Sequence, residues 1–96
     1  MKATTKNEAI RLEDIPNIGT SIAKDLRGIG VITPEQLKDK DGVELYLKLN
    51  AVTGVRHDPC VADVFLAAVD FMNGGAAKPW WSYTAQRKKL LKKITS

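Results

Sequence analysis

Cysteine is nearly missing from this chain: Cys60 is the only one. An intramolecular disulfide is therefore excluded, and a reducing compartment is the natural setting. Long apolar runs are missing at the start. The opening segment MKATTKNEAI contains none, so neither a signal peptide nor a spanning segment is expected there. A cytoplasmic protein is the resulting expectation. Strand-like alternation is weak, and there is no low-complexity stretch. No Ser/His/Asp arrangement and no pair of catalytic carboxylates can be assembled, so an enzyme is not expected. With 96 residues and 44% hydrophobic side chains, the chain has the size and composition of one globular domain with a modest core.

Charge is unevenly placed. Residues 1–55 carry eight basic and eight acidic side chains, whereas residues 56–96 carry seven basic against three acidic, which accounts for the whole net +4. Five of the basic residues fall in one run, RKKLLKK, from Arg87 to Lys93. Such a run suits nucleic acid or an acidic partner, and equally a solvated helix face.

Apolar residues recur mainly at helical spacing. A first helix is expected over residues 7–14, with Ile10 and Leu12 inward, broken by Pro16 and Gly19. A second uses Ile22, Ala23 and Leu26 and stops at the Gly28-Ile29-Gly30 turn. TPEQL signals another start, with Thr33 as cap, Pro34 in the first position and Gln36 completing a capping box. Asp41 and Glu44 repeat that logic for a helix presenting Val43, Tyr46, Leu47 and Leu49, closing between Asn50 and Gly54. Asp58 and Pro59 open the most apolar helix, which Gly74-Gly75 ends. It should lie at the centre of the core. A last helix is expected to turn Tyr83, Leu90, Leu91 and Ile94 inward and Arg87, Lys88, Lys89, Lys92 and Lys93 outward. The fold class is all-α, with five or six short helices.

The segment LEDIPNIGTSIAKDL, residues 12–26, is the leading site candidate. Asn17 and Gly19 both tolerate positive φ, as a tight turn requires. The helix that follows begins with free N–H groups on Gly19, Thr20, Ser21 and Ile22. Those donors and the positive end of the helix dipole form an anion site, with Lys24 and Arg27 one turn on to add charge. Contacts of this kind hold phosphate and read no base.

The spacing L-x-x-I-P-N-I-G-x-x-x-A-x-x-L resembles the helix-hairpin-helix DNA-binding motif. The resemblance implies that the N–H groups of Asn17, Gly19, Ser21 and Ile22 grip a DNA backbone. It also implies a monovalent-cation position at the carbonyls of Glu13, Ile15 and Ile18, as in some members. Asn17 stands where the motif usually has its first glycine, and Glu13 and Asp14 bring negative charge beside the turn. GIGVITPEQL is similar to the second half of tandem modules. Residues 12–49 resemble the C-terminal domain of TfoX-type competence regulators, leaving 58–96 as a helical pair with a basic tail. Nearly the whole chain, from NIG through DPCVADVF to PWWSYTAQRK, resembles small bacterial proteins of the pathogenicity-locus (Cdd1) family. That family is placed with helix-hairpin-helix, SAM-like folds, and some members carry a mitomycin-resistance label. A DNA-backbone-binding module is thus expected, with Arg87, Lys88 and Lys89 as a second contact. The alternative is a protein-interaction module of a regulatory or stress pathway.

Two further groups stay open. His57 and Cys60 supply two metal ligands where a structural zinc needs four. Cys60 in a first helical turn is either an activated thiol or plain packing. Trp80, Trp81 and Tyr83 either stack on bases or lock the last helix down.

Overall fold

The computed structural model describes the backbone of residues 2–95 and the side chains of residues 2–93. The described residues form four α-helices: α1 (Thr20–Gly28), α2 (Gly42–Thr53), α3 (Cys60–Met72) and α4 (Thr84–Thr95). Four single 3-10 turns lie between and before them, at Lys6–Glu8, Leu12–Asp14, Pro34–Leu37 and Trp80–Tyr83. No strand occurs among the described residues. Nor is any of their helices long and apolar enough to cross a membrane.

The caps explain most boundaries. Asp41 accepts hydrogen bonds from the amides of Val43 and Glu44 at 2.9 and 3.3 Å, which starts α2. Gly54 ends it in the left-handed conformation, φ 71°. Asp58 accepts from the amide of Cys60 at 2.8 Å and opens α3. Gly74, φ 98°, closes α3 in a Schellman motif: its amide bonds the Phe71 carbonyl and that of Gly75 bonds Asp70.

α3 is the axis of the core. Residues 62–69 are all buried, as are Phe71 and Met72, which fits a helix apolar on nearly every side. α2 packs on one side of it, and the 80–83 turn with α4 packs on another. Leu12, Ile15, Ile18, Ala23 and Leu26 extend the same core toward the N-terminus.

Three expectations need correction. Residues 7–14 form no helix but two 3-10 turns, and Ile10 is 82% exposed. The Asp14 carboxylate accepts from the amides of Ile10 and Arg11, so the chain restarts at Leu12. Few residues remain on either side of that restart, too few to sustain an α-helix. The TPEQL start is real, with Gln36 accepting from the Thr33 amide at 3.2 Å, but it yields only one turn. Asp39, at φ 62°, breaks it. Finally, Arg87 is not on the outer face. It is turned against α3, with a side chain 12% exposed. Leu90 and Leu91 are half-buried as the inner stripe requires; the side chain of Ile94 lies outside the described residues.

Candidate functional site

Ile15 and Ile18 are fully buried and pin the 15–19 turn to the core from below. Ile18 N–H bonds the Ile15 carbonyl at 3.1 Å, which closes the turn. Asn17 takes the left-handed conformation, φ 74°. Gly19 does not: at φ −95°, ψ −175° its backbone is ordinary extended chain. A Cβ built on Gly19 would meet nothing within 4 Å. Internal packing therefore gives no reason for glycine here, whereas an open approach to the neighbouring amides does.

Those amides are free. The first intrahelical bond of α1 is from Ala23 N–H to the Gly19 carbonyl, 3.0 Å. The N–H groups of Gly19, Thr20, Ser21 and Ile22 have no partner among the described residues. Gly19, Thr20 and Ser21 are exposed and Ile22 is half-buried. The second glycine turn is built differently. Gly30 (φ 94°) ends α1 in a Schellman motif, with Gly30 N–H on Arg27 and Val31 N–H on Leu26. The Ile32 and Thr33 amides then bond Gln36 Oε1. Only the first of the two turns presents open donors.

The carbonyl side of the 15–19 turn is occupied from within the chain. Lys2 Nζ donates to the Glu13 carbonyl at 2.6 Å and to the Ile18 carbonyl. Ala3, which is buried, donates its amide to the Asp14 carbonyl at 2.7 Å. An ammonium thus lies on two of the three carbonyls at which the resemblance implies a monovalent cation. Asn17 Nδ2 donates to the Lys78 carbonyl at 2.7 Å, which carries its side chain into a contact with the segment before α4.

The charges near the turn are of two kinds. Lys24 is exposed and makes no ion pair among the described residues. Arg27 is held by a two-pronged bond to Glu13, 2.8 and 3.1 Å, so its charge is largely matched. This bond is the first cause holding the Glu13 carboxyl below its ordinary 4.5. Because the folded value is the lower, the pair's contribution to stability is present above about 4.5 and is lost as pH falls through the folded value. Glu13→Gln is expected to flatten the acid limb of a melting-temperature profile. An unchanged limb would dismiss the pair.

These features stand within a recognisable lineage. Residues 5–89 match the Cdd1 family, described as "Pathogenicity locus". The chain belongs to the Cdd1 family. It is 42% identical over 87 residues to "Mitomycin resistance protein McrB" of Streptomyces lavendulae, covering 91% of this chain and 83% of that protein. No solved structure matches it.

In this Cdd1 chain the other candidates separate clearly. His57 turns toward α2: its Nε2 lies 2.9 Å from Thr53 Oγ1, and its amide bonds Asn50 Oδ1. Cys60 faces Asp58 instead. A hydrogen bond to that carboxylate, then burial, then the charges of Asp58 and Asp63 push the thiol above its ordinary 9.0, opposed only by Arg87. This environment disfavours the thiolate. Since the raised value lowers the thiolate fraction at neutral pH, alkylation of folded protein by iodoacetamide should be slower than that of a free thiol. A faster rate would reverse the assignment. No group of three or more His, Cys, Asp or Glu among the described residues is placed to hold a metal.

The two tryptophans differ in their surroundings. Trp80 packs on the core, and Tyr83 is buried with its hydroxyl 2.5 Å from Asp70 Oδ2. Trp81 is 64% exposed. On α4, Lys88, Lys89, Lys92 and Lys93 are exposed, while Arg87 donates to Asp63 at 2.8 Å. Sequence reasoning missed Lys2, Lys78 and Asp63, which meet their partners over separations of 16, 61 and 24 residues.

Proposed function

We propose that this Cdd1 chain is a non-enzymatic DNA-binding module of helix-hairpin-helix type, with the 15–19 turn as its grip on the phosphate backbone. The observation that carries the reading is the glycine at position 19. Its backbone is unstrained and its surroundings empty, yet it fronts a row of unpaired amides at a helix N-terminus. Lys24 supplies the free charge. Lys88 and Lys89 on α4 supply a second basic surface, and Arg87 drops out because Asp63 holds it. Few phosphates are engaged, so affinity is modest and falls with salt. The name of the Streptomyces relative states a resistance and no ligand; resistance to a compound is compatible with a role at DNA.

A cap substitution separates this reading from a purely structural one. Gly19→Asp places a carboxylate at the N-cap, where it accepts from the helix amides and suits the dipole. The variant is expected to melt at the same or higher temperature and to lose DNA binding in a fluorescence-anisotropy titration. Lys24→Ala should lower the slope of log affinity against log salt by about 1. Arg27→Ala should change it less, since Glu13 already matches that charge. If Gly19→Asp binds DNA like the wild type, the turn is not the grip. A protein-interaction module, the second reading, draws on the exposed indole of Trp81.

A further inference from the structure

We propose that Trp81 is a stacking platform for an unpaired base, so that the preferred ligand is single-stranded or locally opened DNA rather than closed duplex. The inference rests on the phosphate-grip reading above and specifies its substrate.

Three observations converge. The first is the way the 80–83 turn divides its side chains. In a 3-10 turn residues three apart eclipse one another, so Trp80 and Tyr83 share an edge, and both pack inward. Trp81 projects a third of a turn away and stays 64% exposed. The second is rigidity. Pro79 has φ −65°, and its carbonyl accepts from both Ser82 N–H and Ser82 Oγ, at 3.1 and 2.8 Å. The backbone carrying the indole is therefore set before any ligand arrives, which lowers the entropy lost on stacking.

The third is position and charge. Asn17 Nδ2 bonds the Lys78 carbonyl, so this segment starts against the 15–19 turn. Three peptide units separate Lys78 from Trp81, so their Cα atoms are at most about 11 Å apart. That is the run of roughly three nucleotides along one strand. Beyond Asp70 the chain has no acidic residue, while Lys78, Lys88 and Lys89 flank the indole in sequence. An exposed aromatic on a stretch of chain whose own charged side chains are all cationic matches a polyanion whose subunits have π-faces, which is a nucleic acid strand. In closed duplex those faces are stacked away, whereas the phosphates stay available to the turn.

The test is an anisotropy titration of the full chain with labelled oligo(dT) and with a duplex of equal length. Wild type is expected to bind oligo(dT) more tightly. Trp81→Ala should weaken oligo(dT) about tenfold and leave duplex binding nearly unchanged. Trp81→Phe should retain most of the affinity, and Gly19→Asp should lose both ligands. Circular dichroism checks that each variant is folded. Should Trp81→Ala bind oligo(dT) like the wild type while Gly19→Asp does not, stacking is overturned and the phosphate grip survives. Should wild type bind neither oligonucleotide, both fall. A Trp81→Ala effect seen only in self-association by sedimentation overturns stacking and assigns the indole to a protein contact.

Discussion

Asp63→Ala is expected to destabilise the domain by about 3–5 kcal/mol. The carboxylate is 0% exposed and makes two bonds, both to α4. Thr84 Oγ1 donates to Oδ2 at 2.7 Å, and Arg87 Nε donates to Oδ1 at 2.8 Å. Alanine would leave a guanidinium only 12% exposed without a counter-charge and a threonine hydroxyl without its acceptor. For a domain of this size each kcal/mol moves the melting temperature by about 4–8 °C, so a fall of roughly 15 °C or more should appear in a circular-dichroism melt. Because both partners lie on α4, that helix should loosen first, and trypsin should cut sooner within Arg87 to Lys93. The pair Asp63→Leu with Arg87→Met removes both charges together and should recover much of the loss. A shift below about 4 °C in Asp63→Ala would show that the pair is not holding α4.

Gly42→Ala should follow, with a loss of about 2–3 kcal/mol. Here glycine is required by contact and not by φ. A Cβ at this position would stand 2.7 Å from Leu66 N, 2.8 Å from Leu66 Cα and 3.0 Å from Leu66 Cδ2. The first two are backbone atoms in the middle of α3, which is fixed by core on several sides, so they cannot yield without moving a helix. The gain in helix propensity from replacing glycine, about 1 kcal/mol at most, does not offset that displacement. Gly28→Ala is the control. Gly28 sits in α1 with nothing within 4 Å of the added carbon, so the same change should be neutral or slightly stabilising. Urea melts of both variants decide the matter, and equal midpoints would refute the close approach of α2 to α3.

Arg87 shows how far periodicity can be trusted. It lies four residues after Tyr83 and three and four before Leu90 and Leu91, which is the inner stripe of α4. The sign that it faces inward was present in the spacing. It was outweighed by its place in a run of lysines, because a charge is normally excluded from a core unless paired. The pairing residue, Asp63, belongs to another helix and offers no local mark. The N-terminal segment failed differently. Its apolar positions fit a helix, but Asp14 captured the Ile10 and Arg11 amides and made a turn instead. At Gly19 the expected positive φ was wrong and the expected open amides were right, since a helix N-terminus exposes its donors whatever the conformation before it.

What the amino-acid order determined alone was the all-α character, most helix ends and the existence of an open amide row after Gly19. Each of these depends on hydrogen bonds and side-chain positions within about five residues of one another, a range over which spacing is geometry. Tertiary structure alone decided that Lys2 covers the carbonyl side of the turn, that Asn17 meets Lys78, and that Asp63 takes Arg87 out of the basic face. Those pairings span 11 to 61 residues, and they exist because burying α3 on several sides brings remote segments together.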